Sequence, residues 1–381
     1  MKKVGVCTVY TGYNYGSALQ AVATKEMLRQ LGYSGEIIKL SGSIAPGRDI
    51  RLKKLLIMVA RSLRHFHEAK GTLGAYTRAG KELSPETKQR FDEFYSTDVC
   101  PSFYSETALK RCAKGEKYIA FLCGSDQIWN ATTYYVDPFY YLLFAPERKR
   151  IAFAPSFGRD FVPPYNRKQI KRNVSAIPEL SVREESGEQL IYELTGRKAQ
   201  TLIDPSLLLN RQEWTGLLHL RQPERNEYVL AYFLDEPSEK AKRMLSRLRG
   251  KGYTILALPY IREAKWFDDC ICAGPKEFLE YLLGASAVCT DSFHGAAFSL
   301  NFEKEFYCFE REYGGTANQS TRVTSLLKKV GLTARFDPDE GADMEEIDYT
   351  QCREVLKIER EKSKEFLLRA LKRAEESEEH Q

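Results

Sequence analysis

The sequence predicts an α/β protein with two doubly wound domains that face each other across a cleft, followed by a C-terminal helix. Short apolar strands alternate with helical stretches along almost the whole chain of 381 residues. The strands are continuous apolar runs, which is typical of parallel sheets that helices cover on both faces. A polar stretch at 210–226 interrupts this alternation, and we place the domain boundary there.

The apolar runs define six strands before the polar stretch and four after it. The predicted strands are Lys3–Tyr10, Ser34–Leu40, Tyr118–Cys123, Arg150–Ala154, Glu179–Val182, Thr201–Ile203, Glu227–Leu234, Tyr253–Leu258, Ala287–Thr290 and Glu305–Phe309. Between them the pattern predicts helices at Ser17–Leu31, Gln169–Asn173, Gly187–Leu194, Ser238–Arg249, Pro275–Gly284 and Thr321–Val330.

These elements divide the chain into an N-terminal domain at 1–210, a C-terminal domain at 211–350 and a C-terminal helix and tail at 351–381. The first domain contains a long basic insertion at 41–103 that we expect to be helical. Within the insertion, 51–70 is predicted to be a basic amphipathic helix with one broad apolar face. Such a helix either packs on its own domain or contacts an anionic membrane surface.

Composition narrows the class of protein. Hydrophobic residues make up 43% and charged residues 29% of the chain, as in ordinary soluble globular proteins. The net charge of +5 is too small and too evenly spread to indicate nucleic-acid binding, and no apolar run has the ~18 residues of a membrane span. We expect a cytoplasmic protein without a secretory signal, whose nine cysteines are reduced thiols. Cys270-x-Cys272 has no second pair at zinc spacing, so no metal is expected.

Ligands of doubly wound sheets bind beyond the carboxyl ends of the strands, so the residues that follow the strands are the first candidates for a site. After the first strand, Gly16 allows a ligand to approach the backbone, and Ser17 is predicted to cap a helix whose free N–H groups attract anions. An ordinary strand-to-helix turn is the alternative. The spacing matches neither a dinucleotide fingerprint nor a Walker loop.

Further strand ends in the first half carry polar and charged side chains. Asp126 can act as a base or orient a sugar hydroxyl, and the alternative is helix capping. Trp129 can stack on a sugar ring or fill the core. Arg183 can clamp a phosphate or carboxylate, or form a salt bridge with Glu184. We interpret the segment at Asp204 as a hinge turn.

The segment TDSFHGAAF is the most informative part of the second half. Its His294 follows a strand, where an imidazole can donate to an anion and move a proton near neutral pH. Gly295 leaves the N-terminus of the next helix open to a phosphate. Arg322 lies in the first turn of a later helix, which Asn318 or Ser320 is predicted to cap. Because a cation there opposes the helix dipole, we expect an anionic partner.

Several of these segments together resemble the polysaccharide pyruvyl transferase family. They occur in the family's order, over roughly Lys3 to Leu332. The matching segments are NYGSALQA (Asn14–Ala21), GSDQIWN (Gly124–Asn130), SVRE (Ser181–Glu184), DPSLLL (Asp204–Leu209), TDSFHGAAFSL (Thr290–Leu300) and NQSTR (Asn318–Arg322). No single segment is decisive, but the ordered set is specific.

The resemblance implies two facing Rossmann-like domains in a GT-B-like arrangement with an interdomain cleft. It also implies phosphoenolpyruvate as the donor and no other cofactor. The acceptor would be a sugar, often of the galactose type, in a cell-surface polysaccharide or its lipid-linked precursor. The product would be a cyclic pyruvate ketal across two sugar hydroxyls, with release of phosphate. A lipid-linked acceptor would place the enzyme at the inner membrane face.

The resemblance also implies roles for individual residues. Family members hold the donor with an arginine on the SVRE-like segment and an Arg-apolar-His group, and Arg183 and His294 match two of these positions. Ser292 stands where the family has its other arginine, and Arg322 or Arg311 is our candidate replacement. The expected catalytic residues are His294, Asp126 and Glu184; the donor-binding residues are Arg183, Ser292, His294, Gly295, Arg322 and Asn318; the acceptor-binding residues are Asn14, Tyr15, Gly16, Ser17, Asp126, Gln127 and Trp129.

Two other functions fit the same sequence. The first is a GT-B-type glycosyltransferase that uses a nucleotide sugar, for which Glu310 is a candidate ligand of the ribose hydroxyls. The second is a glycan-binding relative that keeps the fold without catalysis. The ligand that stabilises the protein against thermal unfolding would distinguish the three functions. Phosphoenolpyruvate would indicate the pyruvyl transferase, a nucleotide sugar the glycosyltransferase, and glycan alone the glycan-binding relative.

Overall fold

The structure is a computed structural model that describes residues 1–44, 51–64, 83–225, 227–258, 266–311, 321–339 and 346–379. The chain divides into two compact units. The first unit comprises 1–67, 95–208 and 358–381, and the second comprises 68–94 and 209–357. In the part of the chain that is described, no helix is long and apolar enough to cross a membrane.

The described strands form two sheets, and every strand pairing in them is parallel. In chain order they are β1 (Lys3–Cys7), β2 (Ser34–Leu40), β3 (Ser102–Tyr104), β4 (Ala120–Cys123), β5 (Arg150–Ala152), β6 (Glu179–Val182), β7 (Gln200–Thr201), β8 (Tyr228–Tyr232), β9 (Thr254–Ala257), β10 (Asp269–Cys270), β11 (Ala287–Thr290) and β12 (Glu305–Cys308). The first unit has the order β3-β2-β1-β4-β5-β6-β7, and the second has the order β10-β9-β8-β11-β12.

Helices connect the strands, as parallel pairing requires. They are α1 (Tyr15–Gln30), α2 (Leu52–Arg64), α3 (Pro85–Phe94), α4 (Glu106–Lys114), α5 (Pro164–Ser175), α6 (Glu185–Thr195), α7 (Arg211–Leu218), α8 (Glu239–Gly250), α9 (Pro275–Gly284), α10 (Phe293–Asn301), α11 (Thr321–Lys329) and α12 (Thr350–Glu379). The α/β class with two parallel sheets and a C-terminal helix is therefore confirmed.

The central strands are buried because they consist of small and apolar residues. Four of the five residues of β1 and all four of β4 are buried. The two strands pair in register from Val4 opposite Ala120 to Cys7 opposite Cys123. Both strands end at the same edge of the sheet, so the loops that follow them come together.

Three predicted strands have the observed bounds, and each lies next to an edge strand of its sheet. Ser34–Leu40, Glu179–Val182 and Ala287–Thr290 have the predicted bounds. The sequence reading missed β3 and β10, which are edge strands of three and two residues. Strands this short have too few residues for an apolar run. It also missed α7, although its Asn210 and Glu213 form a capping box, a recognisable start signal.

The compact units differ from the predicted domain ranges at the insertion and the tail. The unit boundary lies between Leu208 and Leu209, whereas the sequence placed it after 210. Part of the insertion, 68–94, belongs to the second unit. Helix α3 lies in this part, and its Arg90 forms a 3.5 Å ion pair with Glu277 of α9. The C-terminal helix is divided too, because 358–381 belongs to the first unit.

Candidate functional site

Helix α1 begins directly after the loop that follows β1. Its N-cap is Asn14, whose Oδ1 accepts a hydrogen bond from the Ser17 backbone N–H at 3.0 Å. The prediction that Ser17 caps this helix is wrong, because the helix begins two residues earlier, at Tyr15. Tyr15 is 1% exposed, so in this conformation it presents no side chain to a sugar, and Gly16 is buried as well.

Asp126 follows β4 and lies against the start of α1. The Ser17 hydroxyl donates a hydrogen bond to Asp126 Oδ2, and the Gln127 backbone N–H donates to Oδ1 at 2.8 Å. The backbone of Asp126 has φ +59°, a left-handed conformation that aspartate tolerates better than most residues. Its side chain is half-buried. The structure thus brings the predicted residues Asn14, Ser17 and Asp126 together at one edge of the sheet.

Trp129 lies in the core of the first unit. It is 1% exposed, its ring stacks on Tyr141 with a centroid distance of 5.1 Å, and its Nε1 donates to the Tyr140 carbonyl at 2.9 Å. Of the two roles that the sequence left open, the structure shows core filling, so the expected stacking on a sugar ring is corrected. The neighbouring Gln127 is half-buried and accepts from Asn130 Nδ2 at 3.1 Å.

Arg183 forms a buried ionic network at the end of β6. Its side chain is 2% exposed; Nε donates to Glu184 Oε1 at 2.9 Å and Nη1 donates to Asp204 Oδ2 at 2.8 Å. Ser125 Oγ donates to the same Asp204 oxygen at 2.8 Å. In this conformation the guanidinium is therefore enclosed, and of the two roles that the sequence left open the structure shows the salt bridge.

The same network explains the electrostatics of this edge. Burial alone would lower the pKa of the Arg183 guanidinium, but the carboxylates of Glu184, Asp204 and Asp126 outweigh burial and raise this pKa above its ordinary value. Three of the matching segments, GSDQIWN, SVRE and DPSLLL, therefore converge on one arginine. The sequence reading missed Asp204 as its partner, although an acidic residue directly after a neighbouring strand was the available signal.

In the second unit, His294 is the second residue of α10. The N-cap is Ser292, whose Oγ accepts from the Gly295 backbone N–H at 3.3 Å. His294 is 5% exposed, and its ring meets that of Phe293 edge-on at 5.3 Å. The predicted residues Ser292, His294 and Gly295 thus lie in the first turn of one helix, where the aligned peptide dipoles favour an anion.

Gly295 has a packing role that the sequence reading did not include. A Cβ at this position would lie 2.2 Å from Thr290 Oγ1, which is closer than any ordinary contact. The Thr290 hydroxyl cannot move freely, because it donates to the Tyr232 carbonyl at 2.6 Å and accepts from the Ser292 N–H at 3.0 Å. Glycine therefore lets α10 begin close against the end of β11.

The two arginines that were candidates to replace the family's missing donor cation have different surroundings. Arg311 is bound to Asp291, with Nε 2.8 Å from Oδ2. Asp291 is itself held in place by the Leu234 N–H, which donates to Oδ1 at 2.7 Å. Arg322 instead places its guanidinium carbon 6.0 Å from the ring centroid of Phe293, next to His294. Asn318, the remaining predicted donor residue, lies outside the described residues.

No group of three or more His, Cys, Asp or Glu side chains that could hold a metal ion occurs in the parts of the chain that the structure describes. The polar groups at the strand ends are instead hydroxyls, carboxylates, an imidazole and guanidinium groups. These groups can bind anions, orient hydroxyls and move protons.

Comparison with known proteins identifies the family. The model of the family "Polysaccharide pyruvyl transferase" matches residues 14–313. No functionally curated protein matches the sequence.

Solved structures give only weak likenesses. A putative UDP-N-acetylglucosamine 2-epimerase from Listeria monocytogenes is 9% identical, with 86% of this chain and 87% of that chain covered and a TM-score of 0.46. The heptosyltransferase WaaC from E. coli is 12% identical, with 83% and 90% covered and a TM-score of 0.35. The glycosyltransferase SnogD from Streptomyces nogalater is 13% identical, with 99% and 95% covered and a TM-score of 0.39.

With TM-scores below 0.5, these likenesses carry no argument about the fold or the activity. The family match differs, because it spans most of the chain and includes five of the six segments in full; the sixth, NQSTR (Asn318–Arg322), lies beyond it. The chain therefore belongs to the polysaccharide pyruvyl transferase family and is a transferase of that family.

Proposed function

We propose that the protein transfers the pyruvyl group of phosphoenolpyruvate to a sugar, forms a cyclic ketal across two hydroxyls and releases phosphate. The family supports a pyruvyl transfer to a polysaccharide. The observation that carries the choice of donor is the arrangement at α10, where an imidazole in the first helical turn adjoins a ring that contacts the Arg322 guanidinium. Phosphoenolpyruvate has a phosphate and a carboxylate, which are the groups that such a site attracts.

Arg322 is our replacement for the arginine that the family has at position 292. Arg311 is the less suitable candidate, because Asp291 neutralises it at 2.8 Å. The Arg322 guanidinium instead makes a cation–π contact with the Phe293 ring, which adjoins His294. Ser292 then keeps a structural role as the N-cap of α10.

The chemistry needs one acid at the donor. In our proposal His294 protonates the methylene carbon of phosphoenolpyruvate, and C2 becomes an oxocarbenium-like centre. A first sugar hydroxyl attacks C2 and loses its proton, and the C2–O bond to phosphate breaks. The second hydroxyl then attacks C2, loses its proton and closes the ketal. The balance is one phosphoenolpyruvate and one diol giving one ketal and one phosphate.

For the base that accepts the hydroxyl proton, Asp126 is the stronger of the two candidates. It is half-buried, so solvent reaches it, whereas Glu184 has an 8% exposed side chain bound to Arg183. Ser17 and the Gln127 N–H hold the Asp126 carboxylate in a defined orientation. We further propose that the acceptor belongs to a cell-surface glycan or its lipid-linked precursor and that the protein acts in the cytoplasm.

Incubation with phosphoenolpyruvate and candidate glycans tests the proposal, with free phosphate and product mass measured together. General acid catalysis contributes ~10²–10⁴-fold, so His294→Asn should slow phosphate release by about that factor. His219→Asn is the matched control, since His219 is exposed at the end of α7 and asparagine accepts its φ of +50°. Unchanged transfer by folded His294→Asn, or stabilisation by a nucleotide sugar but not by phosphoenolpyruvate, would contradict the proposal.

A further inference from the structure

Helix α2 turns its apolar face to the outside of the protein. Its large apolar side chains are well exposed, with exposed fractions of 60% for Leu52, 38% for Leu55, 61% for Leu56, 51% for Val59 and 74% for Leu63. At about 100° per residue, these positions share one side of the helix. An amphipathic helix of a soluble domain ordinarily buries this side, so the exposed apolar face needs a physical explanation.

The opposite side of α2 is basic and faces the first unit. Arg61 Nη1 donates to Asn166 Oδ1 at 2.9 Å and to the Tyr134 carbonyl at 3.3 Å. Lys54 lies 4.0 Å from Asp137, which also pairs with Arg51 just before the helix. These polar contacts fix the rotation of the helix and hold the leucines outward. The helix does pack on its own domain, with a side that carries Lys54 and Arg61 together with the half-buried Ile57 and Met58.

Basic residues predominate in α2 and beside its amino-terminal end. The sequence from 51 to 64 contains five basic residues and no acidic residue. A cavity of about 300 Å³ lies beside the amino-terminal end of α2, and four basic but only two acidic side chains line it. Those charged side chains are Arg51, Lys53, Lys54, Lys110, Glu106 and Asp137. Lys53 is exposed on α2, and the Lys110 side chain is 53% exposed.

We propose that α2 docks the protein on an anionic lipid bilayer, with its leucines in the interface and the exposed Lys53 among the headgroup phosphates. An exposed apolar stripe flanked by basic side chains is the pattern of an interfacial helix. Its 13 residues extend about 20 Å, which is less than the ~30 Å of the bilayer core, so this helix lies in the surface plane. The basic excess argues against a second copy as the occupant, since two such faces would repel each other.

Binding to vesicles tests this proposal. The full-length protein should sediment with phosphatidylglycerol/phosphatidylcholine vesicles but not with phosphatidylcholine vesicles alone. Raising the salt from about 0.1 to 0.5 M should weaken binding, because salt screens the charges. Leu56→Gln/Leu63→Gln should bind at least about tenfold more weakly, because two apolar side chains no longer leave water. Glutamine is a good helix former, so the substitution keeps α2 helical.

Tyr192→Gln/Ile358→Gln is the matched control. Tyr192 and Ile358 are 55% and 63% exposed, similar to the leucines, but lie on α6 and α12 of the same unit. This variant should bind like the wild type. The proposal would be overturned if the wild type did not bind anionic vesicles or bound neutral vesicles equally well. It would also be overturned if the α2 variant bound like the wild type, or if the protein formed a dimer that only the α2 variant disrupts.

The outcome is separable from the proposed enzymatic function. With a soluble glycan acceptor, the α2 variant should release phosphate at the wild-type rate, since no residue of α2 belongs to the catalytic or binding groups above. A protein that sediments with anionic vesicles but does not use phosphoenolpyruvate would retain the membrane proposal and lose the proposed donor. A protein that uses phosphoenolpyruvate but does not bind vesicles would retain the proposed donor and lose the membrane proposal.

Discussion

Two of the candidate donor-binding arginines, one in each unit, lie in different surroundings. In the first unit, Arg183 is enclosed between two carboxylates with 2% of its side chain exposed, so its charge is balanced inside the protein. In the second unit, the Arg322 guanidinium carbon lies 6.0 Å from the centroid of the Phe293 ring, a cation–π contact. The comparison teaches that an arginine near a strand end does not by itself indicate an anion site. A neighbouring segment that supplies a carboxylate can balance the charge of the arginine inside the protein.

The largest expected difference between the two regions is in stability. Arg183→Met should lower the free energy of unfolding by about 3–5 kcal/mol, because it leaves the Asp204 carboxylate, whose side chain is 0% exposed, without its cation. In Arg322→Met, the loss of the cation–π contact with the Phe293 ring should cost about 1 kcal/mol of the free energy of unfolding. Urea unfolding of both variants measures this. Equal losses of the free energy of unfolding in the two variants would contradict the proposed difference between Arg183 and Arg322.

A second prediction concerns backbone packing at the edge of the second sheet. Gly295→Ala should destabilise the protein by about 1–3 kcal/mol, because the new Cβ meets Thr290 Oγ1 at 2.2 Å. Gly216→Ala in α7 is the control, since no atom lies within 4 Å of its Cβ position, and it should stabilise by up to about 1 kcal/mol. Thermal unfolding midpoints compare the two variants. A stable Gly295→Ala protein would show that α10 can move away from β11.

The smallest effect concerns a second charge network in the first unit, near the amino-terminal end of β2. Burial alone would raise the pKa of Glu36, but hydrogen bonds from Tyr118, Ser102 and Lys3 and the charge of Lys117 lower it to about 2. A lowered pKa means that this stabilisation is present above the ordinary value of 4.5 and is lost as the pH falls towards 2.

Glu36→Gln should therefore cost about 1 kcal/mol at pH 7, and its difference from the wild type should narrow as the pH falls below about 4.5. Unfolding midpoints at a series of pH values measure the difference. A gap that stays constant down to the lowest pH at which both proteins fold would contradict the assignment.

Much of the fold could be predicted because the strands near the sheet centres are uninterrupted apolar runs. Ala287–Thr290, whose four residues are all buried, has its predicted bounds for this reason. The edge strands β3 and β10 could not be found, since backbone pairing to one neighbour forms them and apolar burial does not. The predicted cleft and the GT-B-like arrangement of the domains stay predictions.

The candidate site was predictable in position but not in contacts. Residues that follow strands, such as Asp126 and His294, lie at the sheet edges as expected. Residue type alone could not show that Trp129 belongs to the core, because an indole fits a sugar face and a hydrophobic interior equally well. It also could not show that Asp204 encloses Arg183, since this contact joins residues 21 positions apart.

The last helix has a consequence for how the protein is made. Its residues Phe366, Leu367 and Leu371 are buried, and its Arg373 pairs with Glu179 at the start of β6. When a ribosome has synthesised the chain through β7, all seven strands of the first sheet exist, but 358–379 has not yet been translated. The amino-terminal unit therefore completes its folding only near the end of translation, and until then the surface that α12 covers is open to chaperones.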